Sequence, residues 1–232
     1  MIKIGGLQKL TLIDYPGRLA ATVFLTGCNF RCPFCYASEL VLPEKIKNQP
    51  KISEKEFFNF LKERKELIDG VVICGGEPTI SKELMPLIKK IKKIGFLVKL
   101  DTNGSDPKLL KTLIDQKLVD YVAMDIKGPK EKYGKFTDRK VDIKKIQNSI
   151  DILKEGKVDY EFRSTIVPTL HGKEDVIEMA RWIRGAKKYY LQNFRPEKTI
   201  DPKFEKIKSY PESFLLEIQK IITPFFEICE VR

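Results

Sequence analysis

The sequence contains no apolar run long enough to span a membrane, and its first residues lack the apolar core of a signal peptide. Its five cysteines are too few, and too concentrated in one segment, to form the disulfide framework of a secreted protein. We therefore expect a protein of the reducing cytoplasm that does not contact a membrane. With 232 residues and 42% apolar side chains, the chain can bury a large core, and we predict one α/β domain over residues 1–232.

Three of the cysteines, Cys28, Cys32 and Cys35, stand close together at C-x3-C-x2-C spacing. One loop with these gaps can point three thiolates at a single soft-metal centre. A four-iron cluster usually takes four thiolates, so three would leave one iron open for a substrate. A zinc site is the alternative, and its fourth ligand would be the only histidine, His171. Because compact zinc sites use short, regular spacings, the pattern favours the iron–sulfur centre.

The formal charge is +11, from 43 basic and 32 acidic residues spread along the chain. A lysine-rich surface of this kind is consistent with adaptation to heat, whereas binding to an acidic protein surface or to nucleic acid is the other interpretation. No segment resembles a recognition helix or an aromatic-rich RNA-binding sheet. We therefore do not expect nucleic acid as a partner.

Strand-like apolar runs alternate with amphipathic segments along most of the chain. Strands are predicted at 20–26, 70–74, 96–101, 119–125, 159–167 and 187–192, and helices at about 53–67, 81–94, 107–116, 143–155 and 173–184. Because a complete eight-unit barrel typically needs about 250 residues, six βα units predict a partial (β/α)6 barrel. Its core is placed at 18–193, after an N-terminal flap at 1–17 and before an extension at 194–232. That extension should contain a helix near 211–223 and a short strand near 227–231.

Polar and glycine-rich residues follow the predicted strands, where ligands bind in parallel α/β sheets. They are Cys74-Gly75-Gly76-Glu77-Pro78, Asp101-Thr102-Asn103-Gly104 and Asp125-Ile126-Lys127-Gly128, and Arg163 and Thr165 share one face of a later strand. Paired glycines let the backbone approach a ligand closely. The first three of these segments also have an ordinary structural explanation. The segment at Cys74 can be a tight glycine turn, and the segment at Asp101 can be a turn capped by an Asx side chain. In the third segment, Asp125 and Lys127 can form a structural salt bridge.

The segment Cys28-Asn29-Phe30-Arg31-Cys32-Pro33-Phe34-Cys35 resembles the cluster loop of radical S-adenosylmethionine (SAM) enzymes. The resemblance implies one [4Fe-4S] cluster on the three cysteines, with SAM bound at the open iron and cleaved to methionine and a hydrogen-abstracting 5′-deoxyadenosyl radical. It further implies that Glu77 meets the amino group of SAM and Lys127 its carboxylate. The SAM contacts that it suggests are Phe34, Tyr36, Gly75, Gly76, Glu77, Asp101, Asn103, Asp125, Ile126, Lys127, Arg163, Thr165 and Gln192.

The segments IGGLQKLTLIDYPG, CGGEPT, DTNG, MDIKGP and LQNFRP are similar to the activators of anaerobic ribonucleoside-triphosphate reductase and of pyruvate formate-lyase. This similarity implies a glycyl radical enzyme as client and a flavodoxin- or ferredoxin-like electron donor. Formate-lyase activators have a histidine near the end of the sixth strand, where this chain offers Gln192 or Asn193. Short loops and a short extension predict an uncovered barrel mouth.

Two other functions remain open from the sequence. One is a radical SAM enzyme that acts on a small molecule, such as a deazapurine-forming synthase. The other is a zinc-stabilised module that binds nucleic acid.

Overall fold

The computed structural model describes residues 2–49 and 51–232. Within them, an eight-stranded sheet has its strands in sequence order. Strand β1 is antiparallel to β2, and the other neighbouring pairs are parallel. The strands are β1 (Ile4–Thr11), β2 (Ala20–Leu25), β3 (Gly70–Gly75), β4 (Leu97–Thr102), β5 (Tyr121–Asp125), β6 (Asp159–Ile166), β7 (Lys188–Asn193) and β8 (Ile228–Val231). Consecutive βα units produce this order, and the predicted α/β partial barrel is confirmed.

Helices connect the parallel strands. They are α1 (Ser38–Val41), α2 (Pro43–Ile46), α3 (Glu54–Glu63), α4 (Leu84–Ile94), α5 (Pro107–Asp115), α6 (Tyr133–Thr137), α7 (Ile143–Lys154), α8 (Lys173–Trp182) and α9 (Glu212–Ile222). Short 3₁₀ helices occupy Pro78–Ile80, Lys130–Lys132, Pro202–Lys206 and Thr223–Phe225. Among the residues that the structure describes, no helix is both long enough and apolar enough to cross a bilayer.

The predicted elements are found within a few residues of their expected positions. Ser53 caps α3 in a capping box with Glu56, as its sequence pattern indicates, but the helix ends at Glu63 rather than at residue 67. The predicted flap at 1–17 begins at Met1, which lies outside the described residues, and much of the rest is strand β1. The short helices α1, α2 and α6 were not predicted because they are too short to show a helical period.

The sheet is apolar on one face and polar on the other. Alternation along the strands places Leu100, Val122 and Phe162 in the main core. The intervening positions place Lys99 and Glu161 on the opposite, inner face, where both are almost completely buried. The inner wall of the partial barrel therefore carries charge, and it is at the carboxyl ends of the strands that the candidate site lies.

Candidate functional site

The three clustered cysteines lie in the loop that follows β2. Cys32 is buried, and Cys28 and Cys35 are half-buried. Burial raises the pKa of Cys28 to about 11 and that of Cys32 to about 12, and it also raises the pKa of Cys35. The ammonium group of Lys127 opposes this effect at each thiol. The thiols thus share one electrostatic environment, and a metal centre that binds there must displace their protons.

The cysteine loop is braced by one of its own side chains. Arg31 donates from Nη1 to the carbonyl oxygens of Cys28, at 2.6 Å, and Phe30, at 2.7 Å. Its backbone N–H donates to the carbonyl of Thr137, at the end of α6, at 2.9 Å. These bonds fix the curvature of the loop between its first two cysteines.

The C-terminal extension also holds the cysteine loop. The N–H of Ile200 donates to the Cys35 carbonyl at 3.1 Å, and the N–H of Asp201 donates to the Pro33 carbonyl at 2.9 Å. The extension is therefore bonded to the part of the loop that carries the third cysteine. The expectation of an uncovered barrel mouth stays a prediction.

The position of His171 argues against the zinc alternative. Its Nδ1 accepts a hydrogen bond from the Val167 N–H at 3.1 Å, and its Nε2 lies 3.0 Å from the Lys127 carbonyl oxygen. Across residues 2–49 and 51–232, no three histidine, cysteine, aspartate or glutamate side chains lie close enough to hold a single metal ion, and this includes the three clustered cysteines, so the choice between the two centres rests on His171 and on the chemistry of the thiols. Three soft thiols without a fourth protein ligand fit an iron–sulfur centre with an open position better than a tetrahedral zinc site.

Two glycines let the end of β3 touch the start of the cysteine loop. Gly75 has φ +120°, and a Cβ there would lie 2.3 Å from the Leu25 carbonyl oxygen. A Cβ on Gly76 would lie 1.9 Å from the carbonyl oxygen of Gly27, next to Cys28. No side chain fits at either position without moving the backbone. The glycine pair is therefore required for the contact between the two strand tips, and a direct contact of these residues with SAM stays a prediction.

The carboxylate of Glu77 faces the protein and is 2% exposed. One oxygen accepts from the Thr79 N–H at 3.0 Å and from the hydroxyls of Thr79 and Thr102 at 2.6 and 2.7 Å. The other accepts from the Asn103 N–H at 2.6 Å. Burial raises the pKa of Glu77, and these donors oppose that rise. The sequence did not predict these partners. Their four hydrogen bonds already use most of the acceptor positions of the carboxylate that was expected to meet the SAM amino group.

Asn103 connects the end of β4 to the cysteine loop. Its amide nitrogen donates to the Asn29 side-chain oxygen at 2.9 Å, and its own oxygen accepts from the Ser105 N–H at 2.9 Å. Asn29 in turn donates to the Ser105 hydroxyl at 2.8 Å. Asn103, predicted to contact SAM, thus has protein partners for both ends of its amide.

A chain of alternating charges crosses the inner face from β4 to the end of β5. Lys99 pairs with Asp101, and Arg163 donates from Nη1 to Asp101 and from Nε to Asp125, each at 3.0 Å. Lys127 closes the chain with a 2.9 Å bond to Asp125. The structure therefore brings together four of the predicted site residues, and the salt bridge between Asp125 and Lys127 is part of a larger network.

The network fixes the charge states of its members. Burial alone would raise the pKa of Asp125, but Arg163 and Lys127 lower it to about 2. Burial alone would lower the pKa of Lys127, but the Asp125 carboxylate raises it above its ordinary value. Lys127 is therefore a fixed cation beside the cysteine loop.

Thr165 and Gln192 lie side by side at the end of the sheet. They are Cα partners in the pairing of β6 with β7, both are half-buried, and neither side chain has a hydrogen-bond partner in the described part of the chain. Asn193 differs, because its amide donates to the Tyr210 carbonyl at 2.8 Å and its oxygen is buried without a partner. Of the two alternatives at this position, Gln192 is thus the one with a free side chain.

Three other predicted contacts lie in different surroundings. Ile126 is fully buried, and its N–H and carbonyl are bonded to the Arg163 carbonyl and the Ser164 hydroxyl. Its side chain belongs to the main core, and a contact of Ile126 with SAM stays a prediction. Phe34 is 4% exposed and packs edge-on against His171, whereas Tyr36 is 67% exposed.

Comparisons with known proteins show the family and the fold. The family described as the radical SAM superfamily matches residues 22–183. A Methanocaldococcus jannaschii protein, provisionally named as a glycyl-radical enzyme activating enzyme, is 35% identical over 99% of this chain and 95% of its own length. A 7-carboxy-7-deazaguanine synthase of Koribacter versatilis is 31% identical over 71% of this chain and 68% of its own length.

Solved structures with low sequence identity share the fold. Streptococcus suis SuiB bound to S-adenosylmethionine superimposes with a TM-score of 0.63 at 15% identity, over 91% of this chain. The chain spans about half of SuiB, 46% of its length. QueE from Escherichia coli superimposes with a TM-score of 0.57 at 15% identity, over 98% of this chain and 92% of QueE.

Proposed function

Because the chain belongs to the radical SAM superfamily and is an enzyme of that type, we propose that it is a glycyl radical enzyme activating protein. The family implies SAM and an iron–sulfur cluster, and we assign a single [4Fe-4S] cluster to Cys28, Cys32 and Cys35. When bound, the cluster supplies the electron that cleaves SAM to methionine and a 5′-deoxyadenosyl radical, which removes a hydrogen atom from a client glycine.

The charge chain supports a SAM site beside the cysteines. Lys127 is a fixed cation for the SAM carboxylate, and the unpartnered Thr165 and Gln192 can receive ribose hydroxyls. Since the Glu77 carboxylate is occupied by protein donors, backbone carbonyls of the same strand tip are the proposed acceptors for the SAM ammonium group. In this arrangement the protein binds and orients SAM without supplying a titrating group.

The observation that carries the choice of client is the near-complete alignment with the Methanocaldococcus jannaschii protein. The proposed client is a glycyl radical enzyme, with the anaerobic ribonucleoside-triphosphate reductase as first candidate. A flavodoxin- or ferredoxin-like protein of the cytoplasm is the proposed electron donor.

A small-molecule substrate is the second candidate function. It is favoured by the similarity to a deazaguanine synthase and by charged and aromatic groups on the inner wall that are not part of the proposed SAM site. Lys188 lies over the Tyr121 ring at 5.1 Å, and Arg232 lies over the Tyr190 ring at 3.3 Å and 3.6 Å from Glu161. Such groups could bind a polar small molecule.

The two functions are separated by supplying each substrate to the anaerobically reconstituted, reduced protein with SAM. The activator proposal expects slow formation of 5′-deoxyadenosine alone, faster formation with a glycyl radical client, and a stable radical on that client. Faster formation with a small molecule that a 7-carboxy-7-deazaguanine synthase converts, with its conversion to product and no radical on any client, would contradict it.

A further inference from the structure

The backbone of Lys127 is held by side chains rather than by the sheet. Strand β5 ends at Asp125, and the last backbone bond to β6 is donated by Ile126 to the Arg163 carbonyl, at 2.8 Å. One residue later, the N–H of Lys127 donates to the Tyr133 hydroxyl at 3.2 Å, and its carbonyl lies 3.0 Å from His171 Nε2. The direction in which Lys127 leaves the strand is therefore set by these two side chains.

The hydrogen bonds of His171 define its tautomer. Because Nδ1 accepts from the Val167 N–H, Nε2 carries the proton and donates it to the Lys127 carbonyl. The ring is fully buried, and burial lowers the pKa of His171 to about 4. At neutral pH the imidazole is thus an uncharged, two-point connector between the loop after β6 and the tip of β5.

The imidazole cannot readily leave this position. Phe136 packs against it at a tilt, with 4.5 Å between ring centres, and Phe34 of the cysteine loop meets it edge-on at 6.2 Å. A Cβ on Gly128 would lie 2.3 Å from the Phe136 ring, so the turn after Lys127 packs against the same aromatic ring. His171 thereby joins the tip of β5 to the loop that carries the cysteines.

We infer that His171 is a positioning residue for SAM: it holds the Lys127 backbone so that the ammonium group points at the SAM carboxylate beside the cysteines. The inference rests on the proposed function of Lys127 as the carboxylate contact. His171 itself does not touch SAM in this account. Its loss should therefore weaken SAM binding only through Lys127.

Two variants separate the bonds of His171. In His171→Gln the side-chain amide nitrogen can replace Nε2 and keep the bond to Lys127, whereas in His171→Asn the amide oxygen can replace only Nδ1. SAM affinity is measured by equilibrium binding to the reconstituted protein. The dissociation constant should rise about three- to tenfold in His171→Asn, the equivalent of one lost hydrogen bond, and change little in His171→Gln. Iron content and melting temperature are recorded for both.

The other support of Lys127 gives a variant that leaves the histidine intact. Tyr133→Phe removes the hydroxyl that accepts from the Lys127 N–H, and it should weaken SAM binding to a similar extent. Tyr160→Phe is the matched control, because its hydroxyl accepts the Lys187 N–H at 3.2 Å, away from the site. That control should not change SAM affinity.

A double-variant cycle decides whether His171 acts through Lys127. If it does, His171→Asn has no further effect on SAM affinity once Lys127→Met is present. The inference would be overturned if the two substitutions raised the SAM dissociation constant independently, so that their effects multiply in the double variant. It would also be overturned if His171→Asn and His171→Gln lost the same SAM affinity. Both results would leave the role of Lys127 intact. An unchanged SAM affinity in Lys127→Met would instead contradict the proposed SAM site, and the inference with it.

Discussion

Asp101 and Arg163 are 62 residues apart in the sequence, yet a 3.0 Å hydrogen bond joins the carboxylate of one to the guanidinium of the other. The same guanidinium binds Asp125, so one cation lies between two carboxylates on the inner wall. Their side chains are 11% to 25% exposed, so water screens them only weakly. Arg163 therefore supports the strand tip from which Lys127 projects.

Replacing Arg163 with Met should destabilise the fold, because two largely buried carboxylates lose their shared cation. The free energy of unfolding should fall by about 1–3 kcal/mol, measured by urea denaturation, because Asp101 keeps Lys99 and Asp125 keeps Lys127. Lys111→Met is the control, since its ion pair with Asp115 is exposed, and no measurable change is expected there. Equal stability of Arg163→Met and the wild type would show that the network does not support the fold.

The cysteines should divide into ligands and packing residues. Anaerobically reconstituted Cys32→Ala should lose the broad iron–sulfur absorption and SAM cleavage together, since one iron loses its protein ligand. Cys74→Ala and Cys229→Ala should keep both, at a modest packing cost. Iron analysis with absorption spectroscopy checks this division. Full SAM cleavage by Cys32→Ala, or loss of iron from Cys229→Ala, would mean that the ligand set is wrongly assigned.

The contact between Gly76 and Gly27 should be needed to shape the cysteine loop. In Gly76→Ala the added Cβ would meet the Gly27 carbonyl oxygen at 1.9 Å and push Cys28 out of place, so the protein should bind less iron after reconstitution. Gly17→Ala is the control: it also has a positive φ, +69°, but nothing lies within 4 Å of its Cβ. It should cost about 1–2 kcal/mol of stability from backbone strain. Iron content in Gly17→Ala should equal that of the wild type, and equal iron in Gly76→Ala would contradict the argument.

Much of the site could be predicted because each strand and its polar tip are adjacent in sequence. The positions of the three cysteines, Asp101 and Lys127 at the ends of strands were predicted in this way, and their roles stay predictions. The partners of Glu77 could not be found, since Thr102 and Asn103 reach it only after two strands pair. The two-residue alternation of β5 could have placed Ile126 in the core, had it been applied beyond the end of the strand. The contacts of His171 depend on three separate loops, which no local pattern records.

The buried imidazole of His171 predicts a dependence of stability on pH. Its pKa is about 4 in the folded protein, against an ordinary 6.5. Between these values the unfolded chain takes up a proton that the folded protein does not. The contribution of His171 to the free energy of unfolding is therefore complete above pH 6.5, and it is lost as the pH falls toward 4. The urea midpoint should fall between pH 7 and pH 5, and this fall should be larger for the wild type than for His171→Gln. An equal fall in both proteins would indicate that the imidazole is protonated in the folded state.

The origin of the abstracted hydrogen atom tests the activator function most directly. The candidate client, the anaerobic reductase from the same organism, is prepared with glycine that carries deuterium at Cα and incubated with the reduced protein and SAM. Transfer from that carbon predicts deuterium in the 5′-deoxyadenosine, seen by mass spectrometry, together with a narrowed glycyl radical signal in electron paramagnetic resonance. Deuterium-free 5′-deoxyadenosine, formed at the same rate with and without client and with no radical on the client, would contradict the account.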